Sequence, residues 1–184
     1  MGKSPVQYFL RRAIPALLFF AVSSPALAAE LANSTTLMAH SNNFAATNGP
    51  QKLWDSCFEG SAFTQNCTAG GSGISSFWLE FDLGAPYDLA DARLFGDADG
   101  AWTSTSWTLR YRTDATAAWT TAFSGGNAFV NGWVAQNLAG LSGRFIRVEV
   151  SGGSGGTQAR ELSISGTPKA VAPSVTTTGS VEHK

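Results

Sequence analysis

Cysteine and histidine are scarce. The 184 residues hold 2 cysteines, Cys57 and Cys67, and 2 histidines, His40 and His183. Such a set is poor material for a zinc site and leaves a Ser-His-Asp relay only His40 to use within the body of the chain. Charge is sparse as well, at 14% of residues, and nearly balanced at −1 overall. No basic stripe exists to attract nucleic acid or an anionic membrane. Long apolar runs are missing except for Ala13–Val22 (AIPALLFFAV), which is too short to span a bilayer. Beyond that run no segment keeps a 3.6-residue apolar period over three turns, which argues against a helical protein.

What is present begins with an export signal. Lys3, Arg11 and Arg12 precede the apolar run, and Ser23–Ala28 (SSPALA) ends in small residues. This predicts a signal peptide over 1–28 with cleavage after Ala28; an uncleaved anchor is the alternative. Of 184 residues, 156 then remain, with 9 basic against 13 acidic side chains, enough for one domain with a substantial core. Export to an oxidising compartment, secreted or periplasmic, predicts a Cys57–Cys67 disulfide, which the chain-entropy view values at roughly 2–3 kcal/mol for so short a loop.

Glycine (20 residues) and tryptophan (6) are plentiful, and side-chain alternation has period 2. Phe77, Leu79, Phe81 and Leu83 alternate with Trp78, Glu80 and Asp82. Trp107, Leu109 and Tyr111 alternate with Thr108, Arg110 and Arg112. Ile146, Val148 and Val150 alternate with Arg147 and Glu149. Shorter strands are expected at Ala90–Phe95, Ala118–Phe123, Trp133–Leu138 and Glu161–Ser165. Turns are expected at Gly84-Ala85-Pro86, Asp99-Gly100, Gly125-Gly126, Gly140–Gly143 and Gly152–Gly156. One apolar and one polar face per strand suits antiparallel sheets packed face to face. The fold class read here is all-β, a single antiparallel β-sandwich or jelly roll. It follows a lead-in over 29–36, occupies 37–166, and precedes a disordered tail or linker over 167–184, where alternation stops.

The motifs resemble a known family in ordered fashion. Trp78–Gly84 resembles its "W-x-x-x-D-L-G" strand, and Leu53-Trp54-Asp55 its upstream "L-x-D-G", with Ser56 in place of the glycine. Trp107–Arg112 resembles "W-x-L-x-Y-S", followed by Trp119 after a turn. Arg144–Val148 resembles "R-Y-V-R-L", and Glu161–Gly166 the closing "E-I-x-V-x-G". The family is that of discoidin-like (coagulation-factor type C, galactose-binding-like) modules, which includes family thirty-two carbohydrate-binding modules. The resemblance covers Leu37–Gly166. It implies a jelly roll whose loops at one end bind ligand, and a structural Ca²⁺ held by oxygen donors, for which Asp55 and Glu161 are the matching positions. The inserted Cys57–Cys67 segment departs from the pattern. Without a metal, Glu161 is expected to pair with Arg160 or Arg147.

Sugar-binding members combine a His, an Arg, an Asn and an aromatic from several loops. The residues of those types are His40, Arg112, Asn131 and Trp102, with Trp133 beside Asn131. Trp102 is expected in a polar loop, Asp97–Ser106, where it either stacks on a ligand or caps the core. Catalytic alternatives are weaker. Gly152–Gly156 (GGSGG) matches G-x-S-x-G formally but precedes no helix. Asp97 and Asp99 read as turn acids, not a glycosidase pair. The expectation is therefore a non-enzymatic binding module for carbohydrate. The alternatives are an adhesive module binding a surface protein, or the targeting domain of a larger secreted enzyme.

Overall fold

The computed structural model describes residues 27–41, 44–55, 68–96, 98–99, 102–125, 132–153 and 155–170. The signal-peptide run, Cys57, Cys67, Asn131 and most of the tail lie outside them. Ten strands are described: β1 Ala29–Glu30, β2 Leu37–His40, β3 Ala69–Ser72, β4 Ser76–Gly96, β5 Ala98–Asp99, β6 Trp102–Arg112, β7 Thr120–Gly125, β8 Gly132–Asn137, β9 Ser142–Gly152 and β10 Gly156–Pro168. Among the described residues the helical element is a 3-10 turn, Pro50–Trp54. No helix of the described residues is long and apolar enough to cross a membrane.

All strand pairing among the described residues is antiparallel. One layer runs β2–β4–β9–β6–β7, and the other runs β8–β4–β10, with β1 and β3 on the far side of β10. β4 belongs to both layers. Its first half, Ser76–Asp82, pairs with β9, and its second half, Asp91–Gly96, pairs with β8. The expected turn at Gly84-Ala85-Pro86 is a corner inside this one strand, marked by a register shift between Asp82 and Tyr87. Gly84 adopts φ 77° there and donates its N–H to Asp82 Oδ1 (2.9 Å). A proline at the corner leaves no amide N–H needing a ladder partner. The chain thereby folds over the edge of the sandwich and continues as a strand on the other side.

The alternation places the core as expected. Phe77, Leu79, Phe81, Trp107, Leu109, Ile146, Val148 and Val150 are buried from the first layer, against Ala92, Leu94, Leu162 and Ile164 from the second. Each fully buried large side chain contributes about 1.5–3 kcal/mol. Leu31, Leu53, Leu89 and Leu138 join the same cluster.

The registers give the sandwich two distinct ends. Ser76, Gly96, Trp102, Gly132, Gly152 and Gly156 gather at one, tied by Gly152 N–H to Ser75 O (3.0 Å) and Gly73 N–H to Gly155 O (3.0 Å). This is the loop end. The other, the corner end, holds the Gly84–Pro86 corner, the Leu138–Leu141 turn and the Asp114 turn. It also holds β1 and the last residues of β10, paired as Ala29 with Gly166, so the chain enters and leaves the sandwich side by side.

Two spans differ from expectation. The lead-in contributes β1, because Leu31 and Ala32 are apolar and fill the corner end of the core. β10 includes Thr167 and Pro168, which pair with Asp88 and Tyr87 of β4. Pro168 fits as the terminal ladder residue.

Candidate functional site

The loop end collects three of the five expected ligand contacts. His40 closes β2, where Ser41 N–H bonds to Trp78 O (3.0 Å). Its exposed ring meets Phe44 edge-on at 5.5 Å, and Phe44 rests on buried Phe77 at 5.0 Å. His40 Nδ1 lies 2.7 Å from Ser41 O, a contact that fixes the ring's orientation. Trp102 opens β6, paired with Asp99 in a short hairpin. The expectation of a loop position for it is thus corrected. The Thr- and Ser-rich run Trp102–Ser106 is β-competent, and β9 supplies a partner for it, with Ser104 opposite Gly152. Trp133 is the second residue of β8, opposite Phe95 of β4, and its ring meets Phe95 edge-on at 5.5 Å. It is 41% exposed, one of few large hydrophobic side chains so placed among the described residues.

Arg112 does not join them. It ends β6 at the corner end, opposite Phe145. Its guanidinium lies 4.3 Å from the Trp119 ring and 5.0 Å from Phe145, in a cation–π stack. Alternation in the sequence shows that Arg112 faces outward; it does not show which end of the sandwich it reaches.

The outer face of the first layer is occupied by its own partners. Arg147 stacks over Trp78 at 4.5 Å and bonds to Glu80 (2.8 Å) and Glu149 (2.8 Å), with Arg110 at 3.8 Å from Glu149. This removes Arg147 as a partner for Glu161, which sits on β10 in the other layer opposite Phe95.

Asp55 follows the 3-10 turn as its C-cap and lies 3.4 Å from Lys52 Nζ. That turn packs against β10, the strand that carries buried Glu161. Among the described residues no group of three or more His, Cys, Asp or Glu side chains could hold a metal ion. Both carboxylates are hard oxygen donors of the type Ca²⁺ takes, and backbone carbonyls supply many ligands of such sites.

Sequence reasoning missed the surface beside Trp133. On β8, Trp133, Ala135 and Asn137 are exposed while Val134 and Gln136 are half-buried. Across the register, Asp91 and Arg93 of β4 present the same face. Together they line a groove of about 600 Å³. Both strands are visible in the sequence, but their alternation is too short to say which face meets water.

Comparison with known proteins agrees with this fold. No curated protein sequence matches the chain. Among solved structures, the C-terminal domain of a chitobiase from Bacteroides fragilis superposes with TM-score 0.59 at 15% identity, covering 77% of this chain and 100% of its own. A family 32 carbohydrate-binding module of Clostridium perfringens NanJ, in complex with galactose, gives 0.57 at 12% identity, covering 76% and 99%. Chitosan-binding module 1 of a chitosanase/glucanase from Paenibacillus sp. IK-5 gives 0.55 at 20% identity, covering 74% and 98%. These likenesses establish the β-sandwich fold. The F5/8 type C domain profile matches residues 33–162, most of the chain and nearly all of the sandwich, and the protein therefore belongs to the F5/8 type C domain family.

Proposed function

We propose that this domain is a non-catalytic carbohydrate-binding module that takes a glycan at its loop end. The observation that carries the reading is Trp133, a large indole left 41% exposed at that end of the sandwich, where a groove along β4 and β8 begins. Exposed aromatic surface is costly in water, and the C–H faces of a pyranose stack well on it. His40 closes β2 and Trp102 begins β6 at the same end, and Asn131, which precedes β8 in the sequence, belongs to the expected set but lies outside the described residues. Solved relatives of this fold include modules described as chitosan-binding and as bound to galactose. Three parts of the reading rest on sequence. Residues 1–28 direct export to the periplasm or beyond, Cys57 and Cys67 form a disulfide there, and Asp55 and Glu161 contribute to a structural Ca²⁺ site.

A glycan array probed with the exported protein tests the reading, followed by Trp133→Ala. Loss of a stacked aromatic at a binding hot spot costs about 2 kcal/mol or more, which is roughly thirtyfold in affinity. The melting temperature should fall only modestly, because the part-exposed ring gives up chiefly its edge-on contact with Phe95. Silence across diverse glycans would instead favour a protein-binding, adhesive module.

A further inference from the structure

We propose that the outward face of β4 and β8 is a second contact surface for the glycan, extending the site from Trp133 to Asn137 so that the preferred ligand is a chain of linked neutral sugars. The inference rests on the carbohydrate reading and names the substrate class.

The geometry comes from the register. Phe95 faces Trp133, Arg93 faces Ala135, and Asp91 faces Asn137. With period-2 alternation these side chains stand on one face, in order, away from the loop end. From Trp133 to Asn137 the strand rises about 13 Å. That is longer than one pyranose ring, so a ligand filling the groove has more than one sugar unit. The groove has a small floor, because Ala135 sits between the larger Trp133 and Asn137.

The lining chemistry selects a neutral polyol. Arg93 Nε lies 3.3 Å from Asp91 Oδ1, and Arg93 Nη2 donates to Asp91 Oδ2 at 3.3 Å. The two charges in the groove thus cancel, and neither an anion nor a cation gains net attraction there. What remains is a mixed set of donors and acceptors. Asn137 Oδ1 already accepts Ala139 N–H (2.9 Å), so this side chain offers a ligand its amide N–H groups. Asp91 offers carboxylate oxygens, and half-exposed Arg93 offers further N–H groups. Hydroxyls both donate and accept, so they match this set, while the Trp133 indole takes an apolar sugar face.

Isothermal titration with two neutral series tests the inference, N-acetylglucosamine oligomers and β-galactose oligomers, each from monosaccharide to hexasaccharide. For the series that binds, affinity should rise about tenfold or more with chain length. Ala135→Leu fills the floor of the groove at an exposed edge-strand position. It should abolish the gain with length and leave monosaccharide affinity and melting temperature unchanged. Arg93→Gln, which removes a donor and unbalances the charge, should reduce the gain in the same direction and serves if the leucine variant fails to fold. Monosaccharide binding with no dependence on length overturns this inference and leaves the loop-end reading standing. A length gain that survives both substitutions also overturns it. Absence of binding to either series overturns it as well; if the glycan array is silent too, the carbohydrate reading falls with it.

Discussion

Asp82 ties the corner end together through one carboxylate. Oδ1 accepts from Arg144 Nε (2.7 Å) and from Gly84 N–H (2.9 Å), and Oδ2 accepts from Arg144 Nη2 (2.8 Å). The Arg144 side-chain hydrogen bonds hold Asp82 below its ordinary value; burial opposes them, and the Gly84 N–H and the Arg144 charge add to the lowering. Because the folded-state value is depressed, the pair stabilises the fold above the unfolded carboxylate range, near about 3.9, and this contribution fades as pH falls through the lower folded value. Asp82→Asn should therefore flatten the acid limb of a plot of melting temperature against pH. The effect is modest, since both side chains are part-exposed and screened by water. An acid limb identical to wild type would show that the pair does not couple to folding. Single residues were legible to different depths. Trp107 reads as core from its strand and is buried, whereas Arg112 reads as an outward cation, and its stack between Trp119 and Phe145 depends on a turn no periodicity specifies.

Strand faces were legible in the sequence because alternation is a local property, and those of the first half of β4, of β6 and of β9 follow it. Strand continuity was not. Gly84-Ala85-Pro86 carries the same signals whether the chain leaves the sheet or turns a corner within it, and only the partners on both sides decide. The β3–β10 contact is likewise invisible in sequence. Gly70 (φ 108°) and Gly156 (φ 148°) face each other's strands so closely that a Cβ at Gly70 would overlap the Thr157 carbonyl oxygen, and one at Gly156 the Gly71 carbonyl oxygen. Gly84, by contrast, has open space around it. Gly84→Ala should cost about 1–2 kcal/mol, the cost of a Cβ at positive φ. Gly70→Ala should cost more, because backbone must also move. Equal midpoints in parallel urea titrations of the two variants would contradict this packing.

For the molecule as a whole, the ordered motifs identified the family, and the structure added which end carries which residues. The candidate site was half legible. Aromatic and polar residue types stood out, but which of them share an end depends on long-range register, and Arg112 falls at the other. The proposed calcium site belongs to this scale too, since Asp55 and Glu161 come from distant parts of the chain. An ion that binds only the folded state stabilises by mass action. Chelator should therefore lower the melting temperature of wild type, added calcium should raise it progressively, and Asp55→Ala or Glu161→Ala should remove the difference. No response at millimolar calcium would eliminate the site.

The side-by-side pairing of β1 with the last residues of β10, at the end remote from the loops, also sets how the domain carries load. Suppose the chain is anchored beyond Pro168 while a ligand is held at the loop end. Tension then runs lengthwise along β10 and β4, and the hydrogen bonds of their ladder resist it in shear, all together. Suppose instead that tension is applied between Ala29 and Pro168. The short β1–β10 pair then peels apart from its end, one bond after another. The same domain is strong as a tether between an anchor and its target, and weak as a link in a chain pulled from both termini.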